Sequence, residues 1–251
     1  MRVLLIEDDQ KFSDALQLHL KAEGFNVYAT NCGDEGLDLG KLYDYDIIVL
    51  DSCLRDTSGR DTSGLDVLKS LRAANIATPV LILAGNVDPV TAAHYLNAGA
   101  DDYVVKSCDQ SELVARIRAI IRRSKGHGAS IIAVGNVQID LGKRVATAQG
   151  ERVNLTCKEY GVLELLLLHK GETVTRQMFL DNLYDGENEP DGKVFEVFIS
   201  KLRKKLEGDN GREHHITTVR GRGYSMSDPE PEDTVASVTP EEIACLLSSE
   251  A

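Results

Sequence analysis

The stretch Asp46-Ile47-Ile48-Val49-Leu50-Asp51 decides the fold of the N-terminal half of the chain. Apolar, mostly β-branched residues run unbroken into a carboxylate. Such a run offers no polar face to water, so it reads as a strand buried on both sides, as in a parallel sheet. In open α/β sheets ligands gather beyond the carboxyl ends of such strands, which puts Asp51 at the mouth of a site. Val3-Leu4-Leu5-Ile6 ends the same way, in Glu7-Asp8-Asp9. Two parallel buried strands that both end in acids bring several carboxylates together. That cluster is costly unless a cation occupies it, and a hard, oxygen-seeking ion such as Mg²⁺ suits it.

Outward from this core, strand-like and helix-like segments alternate. Strands read at 3–6, 26–29, 47–50, 80–83 and 102–105, and helices at Ser13–Glu23, Asp34–Lys41, Leu65–Ala73, Pro89–Asn97 and Ser111–Arg123. The alternation predicts a five-stranded parallel sheet with helices on both faces. Acids after the first and third strands, and Lys106 after the fifth, resemble the receiver domain of two-component response regulators over residues 1–123.

The resemblance implies a flavodoxin-like α/β domain with Asp51 as phosphoacceptor and a histidine kinase or histidine phosphotransferase as donor. It implies Mg²⁺ held by Glu7, Asp8, Asp51 and the backbone carbonyl of Cys53, with Lys106 pairing with the phosphoryl group. Tyr103 matches the switch aromatic. The chemistry is sound on its own terms. A carboxylate nucleophile attacking a phosphate needs both charges neutralised, and a divalent ion plus an ammonium do this. A lone Asp that ends a strand is usually a turn or cap residue. The joint occurrence of Glu7-Asp8, Asp51 and Lys106, each at its strand end, weighs against that. For Tyr103, simple packing is the stronger reading, since an aromatic in a strand more often packs than switches.

Departures from the family pattern surround the site. Ala84 stands where the family carries a Thr or Ser hydroxyl for the phosphoryl oxygen, a loss of about 1.5–3 kcal/mol of hydrogen bonding to a charged group. Ser107 follows Lys106 where the family has a proline with a cis bond. The loop after Asp51 repeats Asp-Thr-Ser-Gly at 56–59 and again at 61–64, which reads as a tandem duplication, and Arg55 replaces a family proline. These changes leave both outcomes open at Asp51, phosphorylation kept or lost. Asp101, Asp102, Glu112 and Arg116 match the charged dimer face of the related subfamily and imply a homodimer. The helix 89–97 supplies no Lys or Arg to it.

Ser124–Ser130 is small and glycine-rich, a linker. Beyond it, strand-like pieces at 131–134, 137–140, 144–147 and 152–155 precede Thr156-Cys157-Lys158-Glu159, a capping box that opens a helix. Thr175 caps a second helix, over 176–184. A third runs from after Pro190 to about Leu206. On it Val194, Phe195, Phe198, Ile199, Leu202 and Leu206 share one arc, and Lys193, Ser200, Arg203 and Lys204 lie on the other. A basic stripe on a core-packed helix is the shape that enters a major groove, although Lys and Arg on a helix more commonly mark a solvated face. Ile199–Leu206 and Thr218-Val219-Arg220-Gly221-Arg222-Gly223-Tyr224 strongly resemble the winged-helix α+β domain of OmpR/PhoB regulators, over 131–227. That implies promoter DNA as partner. Lys201 would read bases, Arg203 and Lys204 would face phosphates, and the wing residue Arg220 would enter the minor groove, with Lys193, Ser200 and Arg222 as further DNA contacts. Gly221 and Gly223 would make the tight wing turn.

Charge agrees with this division. Net charge is −12 overall: −6 over 1–123, +1 over 124–227 and −7 over 228–251. Only the middle segment suits phosphates. The acidic, Pro-bearing tail 228–251 is expected to be disordered. Five scattered Cys with no Cys-x-x-Cys pair argue against a disulfide framework or zinc site and for the cytoplasm. No apolar run is long enough for a membrane span. The chain therefore reads as a response regulator controlling transcription by phosphorylation-modulated DNA binding. It is no enzyme beyond its own phosphoryl transfer. The competing reading is a degenerate receiver that binds and inhibits a kinase or phosphotransferase.

Overall fold

The computed structural model describes residues 1–55, 61–86, 88–184, 194–206 and 215–228. Lys193, the middle of the duplicated loop and the tail from 229 lie outside them. The N-terminal elements are β1 (Arg2–Ile6), α1 (Gln10–Ala22), β2 (Asn26–Thr30), α2 (Gly33–Leu42), β3 (Ile47–Asp51), β4 (Cys53–Arg55), β5 (Asp61–Ser63), α3 (Gly64–Ala73), β6 (Val80–Ala84), α4 (Pro89–Asn97), β7 (Asp102–Val105) and α5 (Gln110–Ser124). A parallel sheet orders them β2-β1-β3-β6-β7. Side chains alternate across it. Val3, Leu5, Ile47, Val49, Leu81 and Leu83 pack against α1 and α5. Leu4, Ile6, Ile48, Leu50, Val80 and Ile82 pack on the other face, toward α3. Each such side chain contributes about 1.5–3 kcal/mol by leaving water.

Helix α1 starts three residues earlier than its apolar pattern indicates. Asp9 is its N-cap and accepts from Lys11 N and Phe12 N, so this acid serves the helix and stands outside the cluster of Glu7, Asp8 and Asp51. The duplicated loop is not open. Its ends form the antiparallel hairpin β4–β5, with Cys53 opposite Ser63 and Leu54 opposite Thr62. The hairpin returns the chain to Gly64, whose N–H donates to Ser52 O at 3.0 Å. A Cβ at 64 would lie 2.1 Å from Asp51 O, so only glycine lets α3 begin this close to the end of β3.

The C-terminal elements are β8 (Ile131–Val134), β9 (Val137–Asp140), β10 (Val145–Ala148), β11 (Glu151–Val153), α6 (Cys157–Leu168), β12 (Thr173–Thr175), α7 (Arg176–Leu183), α8 (Val194–Leu206), β13 (Ile216–Val219) and β14 (Gly223–Met226). A four-stranded antiparallel sheet, β11-β10-β9-β8, is followed by three helices and a second sheet, β12-β14-β13. The capping box of Thr156 and Glu159 is complete. The hairpin expected at the end gains β12 as a third strand. Gly223 has φ +152, and a Cβ there would lie 2.1 Å from Val174 O on that strand. Phe179 stacks on Phe195 at 5.3 Å and ties α7 to α8.

The two halves touch at the amino ends of the parallel strands. Asn26 Nδ2 donates to Asp181 O at 2.7 Å and Tyr184 O at 3.0 Å, closing the C-terminus of α7. Arg144 donates to Glu23 O and lies 4.8 Å over the Tyr160 ring. His127 Nε2 bonds Leu168 O at 3.0 Å, so the linker is held down at that point. Met1 packs against the cores of both halves.

Candidate functional site

The carboxyl ends of β1, β3 and β7 converge. Glu7, Asp8 and Asp51 each offer an oxygen, and these lie within 4.8 Å of one another. Lys106, after β7, donates from Nζ to Glu7 Oε1 at 2.6 Å and to Asp51 Oδ2 at 2.8 Å. Glu7 and Asp51 are 1% and 3% exposed, so burial and mutual repulsion would be severe without that ammonium. Burial is the main force on Glu7. It outweighs the Lys106 hydrogen bond, the Asp51 charge adds to it, and the pKa is pushed up to about 7. Burial pulls Lys106 down, but its bonds to Asp51 and Glu7 outweigh this and its pKa is raised. Lys106 reaches both acids without a cis bond, since none occurs among the described residues.

Cys53 N donates to Asp51 Oδ1 at 3.2 Å, and Asp8, Asp51, Cys53, Thr62, Ser63 and Lys106 line a cleft of about 720 Å³. Thr62 and Ser63 enter it because β5 pairs antiparallel with β4, which composition and pattern alone do not reveal. A hard cation fits the oxygen cluster in donor type. Ala84 is buried beside it at the end of β6 and supplies no hydroxyl. Tyr103 is half-buried, with its hydroxyl on Asn86 O at 3.3 Å.

On α8, Ser200, Lys201 and Lys204 are exposed, whereas Phe195, Ile199, Leu202 and Leu206 are buried. Arg203, expected to face phosphates, is half-buried. Its guanidinium donates to Ile216 O at 2.7 and 3.1 Å and to Thr218 Oγ1 at 2.9 Å, so it fastens the helix to the terminal hairpin. Arg220 and Arg222 are exposed in the turn between β13 and β14, where Gly221 has φ +72.

Residues 3–118 match the response regulator receiver domain, and residues 150–226 match the C-terminal domain of transcriptional regulatory proteins. The cell cycle transcriptional regulator CtrA of Caulobacter vibrioides is 51% identical over 91% of this chain and 97% of its own. The cell cycle response regulator CtrA of Brucella ovis is 50% identical over 92% and 98%. The chain belongs to the CtrA family of response regulators. The solved structure of DrrB, a Thermotoga maritima OmpR/PhoB homolog, is 26% identical and covers 90% of this chain and 98% of that one, with a TM-score of 0.42. This CtrA-family chain joins a flavodoxin-like receiver to a winged-helix DNA-binding domain, which supports transcription control over kinase inhibition.

The surface matched to a dimer face is internally paired in this CtrA relative. Arg116 binds Asp102 at 2.9 Å and Glu112 at 2.7 Å within one chain. Asp101 accepts from Val80 N at 2.8 Å and serves the sheet edge. Val90 and Leu96 of α4 are exposed. No described helix is long and apolar enough to cross a membrane.

Proposed function

We propose that this regulator takes a phosphoryl group on Asp51 from a histidine kinase or phosphotransferase and binds promoter DNA in response, with its domains divided at 124–130. The observation that carries this is the single ammonium of Lys106 bridging Glu7 and Asp51 beside Asp8. An Asp51 oxygen attacks phosphorus, the P–N bond to the donor imidazole breaks, and an acyl phosphate forms on Asp51. Lys106 is in place to take up the charge of the phosphoryl oxygens. Glu7, Asp8, Asp51 and the Cys53 carbonyl would hold Mg²⁺, which when bound neutralises charge on the transferring group. The names of its relatives support a role in cell-cycle transcription, and a regulator that meets promoter DNA acts in the cytoplasm. Homodimerisation through the face of α4, β7 and α5 would rest on Asp101, Asp102, Glu112 and Arg116 and on the apolar α4 surface.

Incubation with acetyl phosphate and Mg²⁺ is expected to add one phosphoryl mass to the protein and none to Asp51→Asn. For DNA, Lys201→Ala is expected to relax sequence preference by about 1–3 kcal/mol at the contacted base. Arg220→Ala is expected to weaken binding broadly and to lower the salt slope by about one. Unchanged affinity in both variants would overturn the docking of α8 and the wing.

A further inference from the structure

Position 84 has no hydroxyl to follow a phosphoryl group, yet another buried hydroxyl reaches the peptide that follows Asp51. Tyr95 of α4 is 3% exposed. Its hydroxyl donates to Ser52 O at 3.0 Å, the carbonyl directly after Asp51. The same hydroxyl lies beside the Ser63 side chain and the Leu65 N–H, where the β4–β5 hairpin runs into α3. Its ring packs on Tyr103 with centroids 5.8 Å apart and planes tilted by 42°. One buried residue thus touches the start of the loop that follows the acceptor, the end of that loop and the aromatic on β7.

We propose that Tyr95 couples the phosphoryl-acceptor site to Tyr103 without taking part in the transfer: its hydroxyl holds both ends of the β4–β5 hairpin and passes movement of the Ser52 carbonyl to Tyr103, so that no hydroxyl is needed at position 84. The proposal rests on Asp51 being the acceptor. A buried hydroxyl stripped of its acceptor is costly, so the ring follows the carbonyl when loading of Asp51 shifts that peptide. Close-packed rings have no free volume to absorb the shift, so Tyr103 and α4 move with it.

The test uses full-length protein labelled with 3-fluorotyrosine, treated with acetyl phosphate and Mg²⁺. Asp51 modification is read by intact mass and Tyr103 by its fluorine resonance, assigned with Tyr103→Phe. In the wild type the Tyr103 resonance is expected to shift as Asp51 is modified. Tyr95→Phe keeps the ring and removes the hydroxyl. It is expected to be modified to within about twofold of wild type, since the lost bond lies outside the reacting atoms, while the Tyr103 shift falls by more than half. A full shift in Tyr95→Phe overturns the proposal, as does modified wild type without any shift. Loss of modification in a Tyr95→Phe protein of unchanged melting temperature also overturns it, by moving the role into the chemistry. No modification of Asp51 in the wild type overturns the acceptor reading itself, and the relay with it.

Discussion

Glu7 shows what the convergence of acids at the strand ends does to stability. Its carboxyl is buried between Lys106 and Asp51, and its pKa is raised to about 7. A carboxylic acid whose folded pKa is raised contributes most at low pH, and its contribution is lost as pH rises from the ordinary carboxylate range through about 7. Without Mg²⁺, Glu7→Gln is therefore expected to flatten the fall in stability across that window, measured by urea unfolding at several pH values. The same variant is expected to lose Mg²⁺ binding by calorimetry, because one of the convergent oxygens becomes a neutral amide. An equally steep pH profile in the variant would show that another group titrates there. Asp9 makes a related point. A carboxylate that caps a helix and one that faces a cation look alike in sequence, and only the bonds to Lys11 and Phe12 separate them.

Among the elements, two turns depend on single glycines. Gly223→Ala would force a side chain against Val174 O at positive φ, so a loss of at least about 2 kcal/mol is expected, read as a lower unfolding midpoint. The hairpin β4–β5 is expected to behave differently. Deleting residues 56–60 removes one copy of the repeat and leaves Gly64 in sequence after Ser63. Loop length is thermodynamically cheap, so the melting temperature should move by only a few degrees, roughly 1 kcal/mol or less. The rate of phosphoryl transfer from a protein donor should rise relative to that from acetyl phosphate, because the hairpin borders the cleft only a large donor must straddle.

Much at this scale was legible beforehand. Runs such as Ile47–Leu50 and the acids that end them need only local pattern, and so did the capping box at Thr156. The strand β12 was not legible, since Thr173–Thr175 is too short to show alternation. Neither was Tyr95, because one aromatic in a helix carries no sign of what its hydroxyl will meet.

For the whole molecule, the parallel sheet has chemistry at one end and the neighbouring domain at the other. Contacts such as Asn26 with Tyr184 join residues 158 positions apart, which is why no local pattern announced them. Glu164 of α6 lies at this junction, 4% exposed. Burial raises its pKa, against the pull of the Met1 amino group, Arg144 and Arg118, with Asp46 adding to the rise. The sign is as for Glu7: its contribution is fully present below the ordinary carboxylate range and is lost as pH rises above it. Glu164→Gln is expected to remain more stable than wild type at pH about 8 and to match it near pH about 4, by chemical denaturation. Equal stability at both would show that Glu164 is solvated.

The bonds from Asn26 Nδ2 to the end of α7 have a further consequence for modularity. Regulators of this build look like beads that can be exchanged at the linker. Here the seam is keyed. A chimera that joins this receiver to a foreign DNA-binding domain at residues 124–130 keeps the chain continuous but loses the carbonyls that receive Asn26 and the Arg144 guanidinium that donates to Glu23 O. Exchange of the effector half therefore has to carry α6 and α7 of a matching partner, or rewrite the rim of the sheet that meets them.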